Sequence, residues 1–139
     1  MSIIKLTVDI NEMEEYEPLP NGPYPSEIRT AEMKTSDKQP GGYFVLGLRV
    51  DPEDFPADYD PENNPEGATL TYARVQVPDP KNRRTVGPFK ALMKAMNLEI
   101  TDEIDLDEWI GVRVNALVST QHYQGQMVNN VESISKLDE

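Results

Sequence analysis

One stretch of this chain has a helical period and the rest does not. In residues 85–98, TVGPFKALMKAMNL, the residues Phe89, Leu92, Met93 and Met96 recur at i, i+3, i+4 and i+7. That spacing lays four apolar side chains along one face of a helix, with Lys90 and Lys94 on another. Pro88 suits the first helical position, where its missing N–H is not needed, and Asn97 can end the helix. The other periodic segments alternate at two, the spacing of strands. A lone helix between the third and fourth of five strands admits few architectures.

The strand-like segments are 24–34 (YPSEIRTAEMK), 43–50 (YFVLGLRV), 68–77 (ATLTYARVQV), 112–123 (VRVNALVSTQHY) and 126–134 (QMVNNVESI). Proline and glycine clusters separate them: PLPNGPYP, SDKQPGG, PDPKNRR and the pair QG. In the second strand, Phe44, Leu46, Leu48 and Val50 form a core row, and Tyr43, Val45, Gly47 and Arg49 form the other. In the third, Thr71, Ala73, Val75 and Val77 share one face, which leaves Leu70, Tyr72, Arg74 and Gln76 outward. In the fourth, Val112, Val114, Ala116 and Val118 point inward. DLDEWIG reads as a short helical turn with Asp105 and Glu108 as a capping box, Gly111 as the stop and Trp109 in the core. Residues 2–10 alternate through Ile4, Leu6, Val8 and Ile10, which predicts an N-terminal arm or edge strand.

The order β-β-β-α-β-β predicts an all-β fold with one helix, a five-stranded OB-fold Greek-key barrel with the helix between strands 3 and 4 closing one end. The expected organisation is an arm over residues 1–15 and an OB-fold domain over 16–139. A β-sandwich with an inserted helix is the competing architecture.

Net charge is −12, but its distribution matters more than its sum. Of the 25 acids, 18 lie in residues 9–17, 51–66 and 99–108. Residues 74–94 carry Arg74, Lys81, Arg83, Arg84, Lys90 and Lys94 against one acid, Asp79. The chain reads as an acidic body with one basic segment. It contains no cysteine, which excludes thiol catalysis, disulfides and thiolate-ligated metals. The opening MSIIKLTVDI lacks a long apolar run, so neither a signal peptide nor a membrane span is expected.

No nucleophile stands at a recognisable spacing from the single histidine, His122, and no glycine loop is built to cradle phosphate. The expectation is a protein that is not an enzyme and needs no cofactor or metal. The acidic run 51–67 holds four prolines and seven acids and reads as a long solvated loop. Asp58, Asp60, Glu62 and Asn64 alternate there, but a calcium loop begun at Asp58 would have Asn63 where glycine is needed and Thr69 where glutamate is needed. That loop could instead mimic phosphates and cover a basic binding face.

YEPLPNGPYPSEIRTAEMKTSDKQPGGYFVLGLRV, residues 16–50, resembles the opening of small single-stranded DNA-binding proteins of bacteriophages. FKALMKAMNL, WIGVRVNA and YQGQMVNNV extend the resemblance to residue 135. The resemblance implies an OB fold and sequence-tolerant binding of single-stranded DNA during replication or recombination. It places the protein in the cytoplasm of the infected host cell, alongside replication or recombination proteins. Single-strand binding needs rings for base stacking and cations along the phosphates. The expected surface carries Tyr43, Arg49, Tyr72 and Arg74 from the second and third strands. Lys34 and Lys38 come from the loop joining strands 1 and 2, and His122 and Tyr123 from the loop joining strands 4 and 5. Lys81, Arg83 and Arg84 are candidate phosphate contacts. Taken alone, each of these is also ordinary strand or turn decoration. The other reading is a non-enzymatic virion or regulatory module that docks another protein, with an arm that adds a strand to a neighbour in a homodimer.

Overall fold

A computed structural model describes residues 2–7, 9, 11, 16–101 and 103–137. Its elements are β1 (Gly22–Lys34), β2 (Tyr43–Val50), β3 (Ala68–Gln76), α1 (Val86–Ala95), β4 (Arg113–Tyr123) and β5 (Gln126–Ser135), in that order. The five strands form one open antiparallel sheet in the order β3-β2-β1-β4-β5. No helix among the described residues is long and apolar enough to cross a membrane.

The long strand β1 serves two neighbours. Residues 22–27 pair with β4, and residues 27–34 pair with β2. The handover comes at a bulge, where Arg29 is the extra residue between the Ile28–Leu48 and Thr30–Gly47 pairs. Such an insertion bends the strand and increases its twist. A Cβ on Gly47 would crowd the hydroxyl of the exposed Thr30, which would have to turn away.

Alternation fills one face with Ile28, Phe44, Leu46, Leu48, Val50, Val114, Ala116 and Val118, all buried. α1 lays Phe89, Leu92 and Met93 into this face and contacts both terminal strands, β3 and β5. Lys90 and Lys94 stay exposed. Phe44 joins the layers: its ring centroid is 5.0 Å from that of Trp109 and 5.8 Å from that of Phe89. Trp109 is only 1% exposed, in a 3-10 turn (Leu106–Trp109) whose Asp105 side chain accepts from Asp107 N–H at 3.0 Å.

Four expectations need correction. Residues 2–7 form no strand; the part of that segment at Val8 and Ile10 lies outside the described residues. α1 begins at Val86 after a 3-10 turn (Arg83–Thr85), so Pro88 is its third residue, still in the first turn where N–H groups have no intrahelical partner. The reciprocal cap expected of Asp105 and Glu108 is replaced by a one-way cap in which the Asp105 side chain accepts from Asp107 N–H.

The acidic loop is packed, not merely solvated. It contains 3-10 turns at Pro52–Asp54 and Pro61–Asn63, and Tyr59 is 6% exposed with its ring edge-on to Phe55 at 5.2 Å. The Tyr59 hydroxyl donates to Glu17 O at 2.7 Å and accepts from Asn64 Nδ2 at 2.8 Å. Residues 17–19 thereby become a strap between that loop and β5. Asn129 completes it by accepting from Leu19 N–H and donating to Leu19 O, both at 2.9 Å, as a strand partner's backbone would.

Candidate functional site

Tyr43 opens β2 on the side of the sheet away from the core, half-buried, with Lys34 of β1 and Gln76 of β3 as its cross-strand partners. The turn 35–42 and the loop 77–85 leave the sheet at this same end. They meet in a notch of about 200 Å³ whose lining includes Lys38, Gly42, Gln76, Asp79, Asn82 and Thr85. Val77 N–H donates to Gly42 O at 3.0 Å and holds the two walls together. Gly42 has φ +100°, a backbone conformation that side chains disfavour.

The loop 77–85 is built so that its cations are left over. Asp79 accepts from Lys81 N–H at 2.9 Å through its carboxylate and donates its own N–H to Thr85 Oγ1 at 2.8 Å. Thr85 Oγ1 donates to Asn82 O at 2.7 Å, and Asn82 Oδ1 accepts from Arg84 N–H at 3.2 Å. The one acid of the segment is thus engaged with backbone. Lys81, Arg83 and Arg84 are exposed, as are Lys38 and Arg74, and none of the five makes an ion pair among the described residues. Lys34 lies 3.7 Å from Glu32.

The acidic loop connects the opposite ends of β2 and β3. Seven residue steps of β2 separate it from Tyr43, about 23 Å at 3.3 Å per residue. It does not cover the Tyr43 end, contrary to the sequence-based expectation.

Two of the expected binding residues are placed differently. Arg49 is on the outer face, but its guanidinium is engaged: Nη2 and Nε donate to Glu66 O at 2.7 and 3.1 Å, and Nη1 pairs with Asp51. It ties the acidic loop closed at the far end of β2. Tyr72 faces inward. The Leu46–Tyr72 pair puts it on the face of Leu46, and it packs against the core. A bulge at residues 73–74 inserts one extra β3 residue before the Phe44–Val75 pair. Ala68 and Leu70 are therefore buried and Thr69 and Thr71 exposed, the reverse of the expected facing. Burial raises the Tyr72 hydroxyl pKa above the usual tyrosine value, and the charge of nearby Arg74 lowers it in part.

His122 and Tyr123 are exposed at the β4–β5 hairpin, where Gln124 and Gly125 have φ of 51° and 80°. They are not brought to the notch: the cavity at this hairpin is lined by Tyr16, Gly125, Gln126 and Met127. His122 pairs with Met127 and Tyr123 with Gln126, so the two side chains leave opposite faces. The structure gathers Tyr43, Lys34, Lys38, Arg74, Lys81, Arg83 and Arg84 at one end of the sheet, and adds Gln76 and Asn82, which sequence reading missed. Counting the antiparallel register back from the 35–42 turn gives a signal for Lys34; Gln76 needed the bulge.

Among the described residues, no group of His, Asp or Glu side chains is arranged to hold a metal ion. Comparison with known protein families and with curated proteins returns no match.

Proposed function

We propose that this protein binds single-stranded DNA without catalysis and with little sequence preference, at the Tyr43 end of the sheet. The observation that carries the reading is the segregation of charge. The half-buried Tyr43 ring stands at the end of the sheet whose notch is lined by Lys38 and Asp79, with Asp79 engaged by backbone. Arg74, Lys81, Arg83 and Arg84 are exposed at that end and, like Lys38, make no ion pair among the described residues, while the acidic loop lies at the far end of the strands. A ring gives a base something to stack on, and the cations meet the phosphates that follow it. With Tyr72 turned inward, the two-ring platform becomes a single ring. Affinity therefore rests more on phosphate contacts, and sequence preference is weak.

An OB-type barrel is supported by β1 bridging β2 and β4, and by the contacts of α1 with both terminal strands. The resemblance of residues 16–135 to phage single-strand-binding proteins favours a role in replication or recombination in an infected cell. A protein-docking module is the second reading, favoured by the exposed apolar arm at Ile3, Ile4 and Leu6. Titration of a labelled oligothymidylate of roughly thirty nucleotides separates them. Salt-sensitive binding supports the first, and absence of binding at low salt removes it.

A further inference from the structure

Two apolar surfaces of the described chain have no partner. The first is the arm, where Ile3, Ile4 and Leu6 are 79, 84 and 63% exposed. Lys5 is the only charged side chain in residues 2–8. The second is a groove beside α1. Val77, Val86, Phe89 and Ile104 help line a cavity of about 360 Å³. Thr101 and Ile104 also line a second cavity of about 450 Å³, together with Met93 and Trp109. Ile100 and Ile104 at its lip are 42 and 38% exposed. Glu99, Glu103, Asp105 and Glu108 fence the second cavity.

A soluble surface that leaves such aliphatic side chains together in water marks a contact site. Its carboxylate fence selects the occupant: an acidic segment is repelled, and an aliphatic segment with a cation is held. The arm has that chemistry. In a single chain its three aliphatic residues remain in water and the groove remains open. A second copy covers both at once, because in a twofold pair each arm enters the partner's groove and the contact is made twice.

We propose that residues 3–6 of a second copy dock in the groove between α1 and residues 98–109, with Ile3, Ile4 and Leu6 against Ile100 and Ile104, and Lys5 among the carboxylates. This differs from strand addition at a sheet edge: the arm's side chains, not its backbone, make the contact.

The test is sedimentation equilibrium of the full chain from roughly 1 to 100 µM, at low and moderate salt. The wild-type protein is expected to dimerise. Lys5→Glu and Glu103→Lys each weaken the dimer by about tenfold or more, and the double variant recovers most of the loss, since the charges are then exchanged. Ile4→Ser lies in an exposed arm, so it cannot disturb the core, and it too weakens the dimer. A protein that stays monomeric across the range overturns the proposal. So does a dimer that Ile4→Ser and Lys5→Glu leave unchanged, or a monomer whose groove takes only an unrelated basic, aliphatic peptide.

Discussion

Segregation of charge at the Tyr43 end has a measurable slope. Lys38, Arg74, Lys81, Arg83 and Arg84 are exposed and free of ion pairs among the described residues. Each phosphate neutralised on a single strand contributes about 0.7 to the fall of log affinity with log salt. If all five cations meet phosphates, the slope is about −3.5, and affinity drops on the order of a hundredfold between about 50 and 200 mM salt. Arg83→Ala with Arg84→Ala leaves three contacts, a slope of about −2 and a drop of about twentyfold over the same range. Fluorescence anisotropy with oligothymidylate measures both. Both side chains are exposed, so the double variant should keep its stability within about 0.5 kcal/mol per site. A wild-type slope shallower than about −1, or one that the double substitution does not change, refutes the assignment of these cations as the phosphate track.

Tyr43→Ala should cost about 1–3 kcal/mol of oligonucleotide affinity and lower the thermal midpoint less than Tyr72→Ala, which removes a ring packed on the core and should spare affinity; the opposite pattern would put Tyr72 on the binding surface after all. Arg49→Met should lower stability by about 1–2 kcal/mol and speed proteolysis within residues 51–66, because Glu66 O loses two donors. Tyr24, Tyr59 and Tyr72 have hydroxyl pKa values raised above 10.0, chiefly by burial. Their folded pKa exceeds the unfolded one, so the stability they contribute is full below about pH 10 and is lost as pH climbs through the folded values. In ultraviolet difference titration, Tyr24→Phe, Tyr59→Phe and Tyr72→Phe should each lose tyrosinate signal above pH 10, and a loss that is complete by pH 10 would contradict it.

The strands and the helix were legible because period and chain-breaking residues both marked them. The bulges were legible too, in a form that simple alternation hides. In β3, Ala68 and Leu70 call for one facing while Val75 calls for the other, and all three are buried. A strand whose apolar positions switch parity must carry an odd insertion, and here it falls at residues 73–74. β1 switches between Ile28 and Ala31, and β5 between Val131 and Ile134, each at an observed bulge. Reading β3 as one regular strand from its C-terminal half put Tyr72 outside. The acidic loop misled in another way. Counting charges suggested a solvated loop, while Phe55 and Tyr59 were the signal that it packs. Of Arg49's two partners, the Glu66 carbonyl was invisible because it is a main-chain atom that no residue pattern identifies.

The seven acids of residues 51–66 do not by themselves forbid an anionic ligand at the Tyr43 end, and the length of β2 is the reason. The acidic loop stands about 23 Å from Tyr43 along the strand, against a screening length of about 8 Å at physiological ionic strength. Repulsion from that loop is therefore largely screened at the cation-rich end, while the cations act on phosphates at contact distance. At about 0.01 M salt the screening length grows to about 30 Å, longer than the strand, and the loop then opposes binding. The plot of log affinity against log salt should consequently flatten as salt falls toward that value. Neutralising Asp58, Asp60 and Glu62, which are exposed, should restore its steepness there and change little at physiological salt. A wild-type plot that stays straight to the lowest salt would mean the acids and the bound strand are farther apart than the sheet places them, and the DNA path would have to be moved off the Tyr43 end.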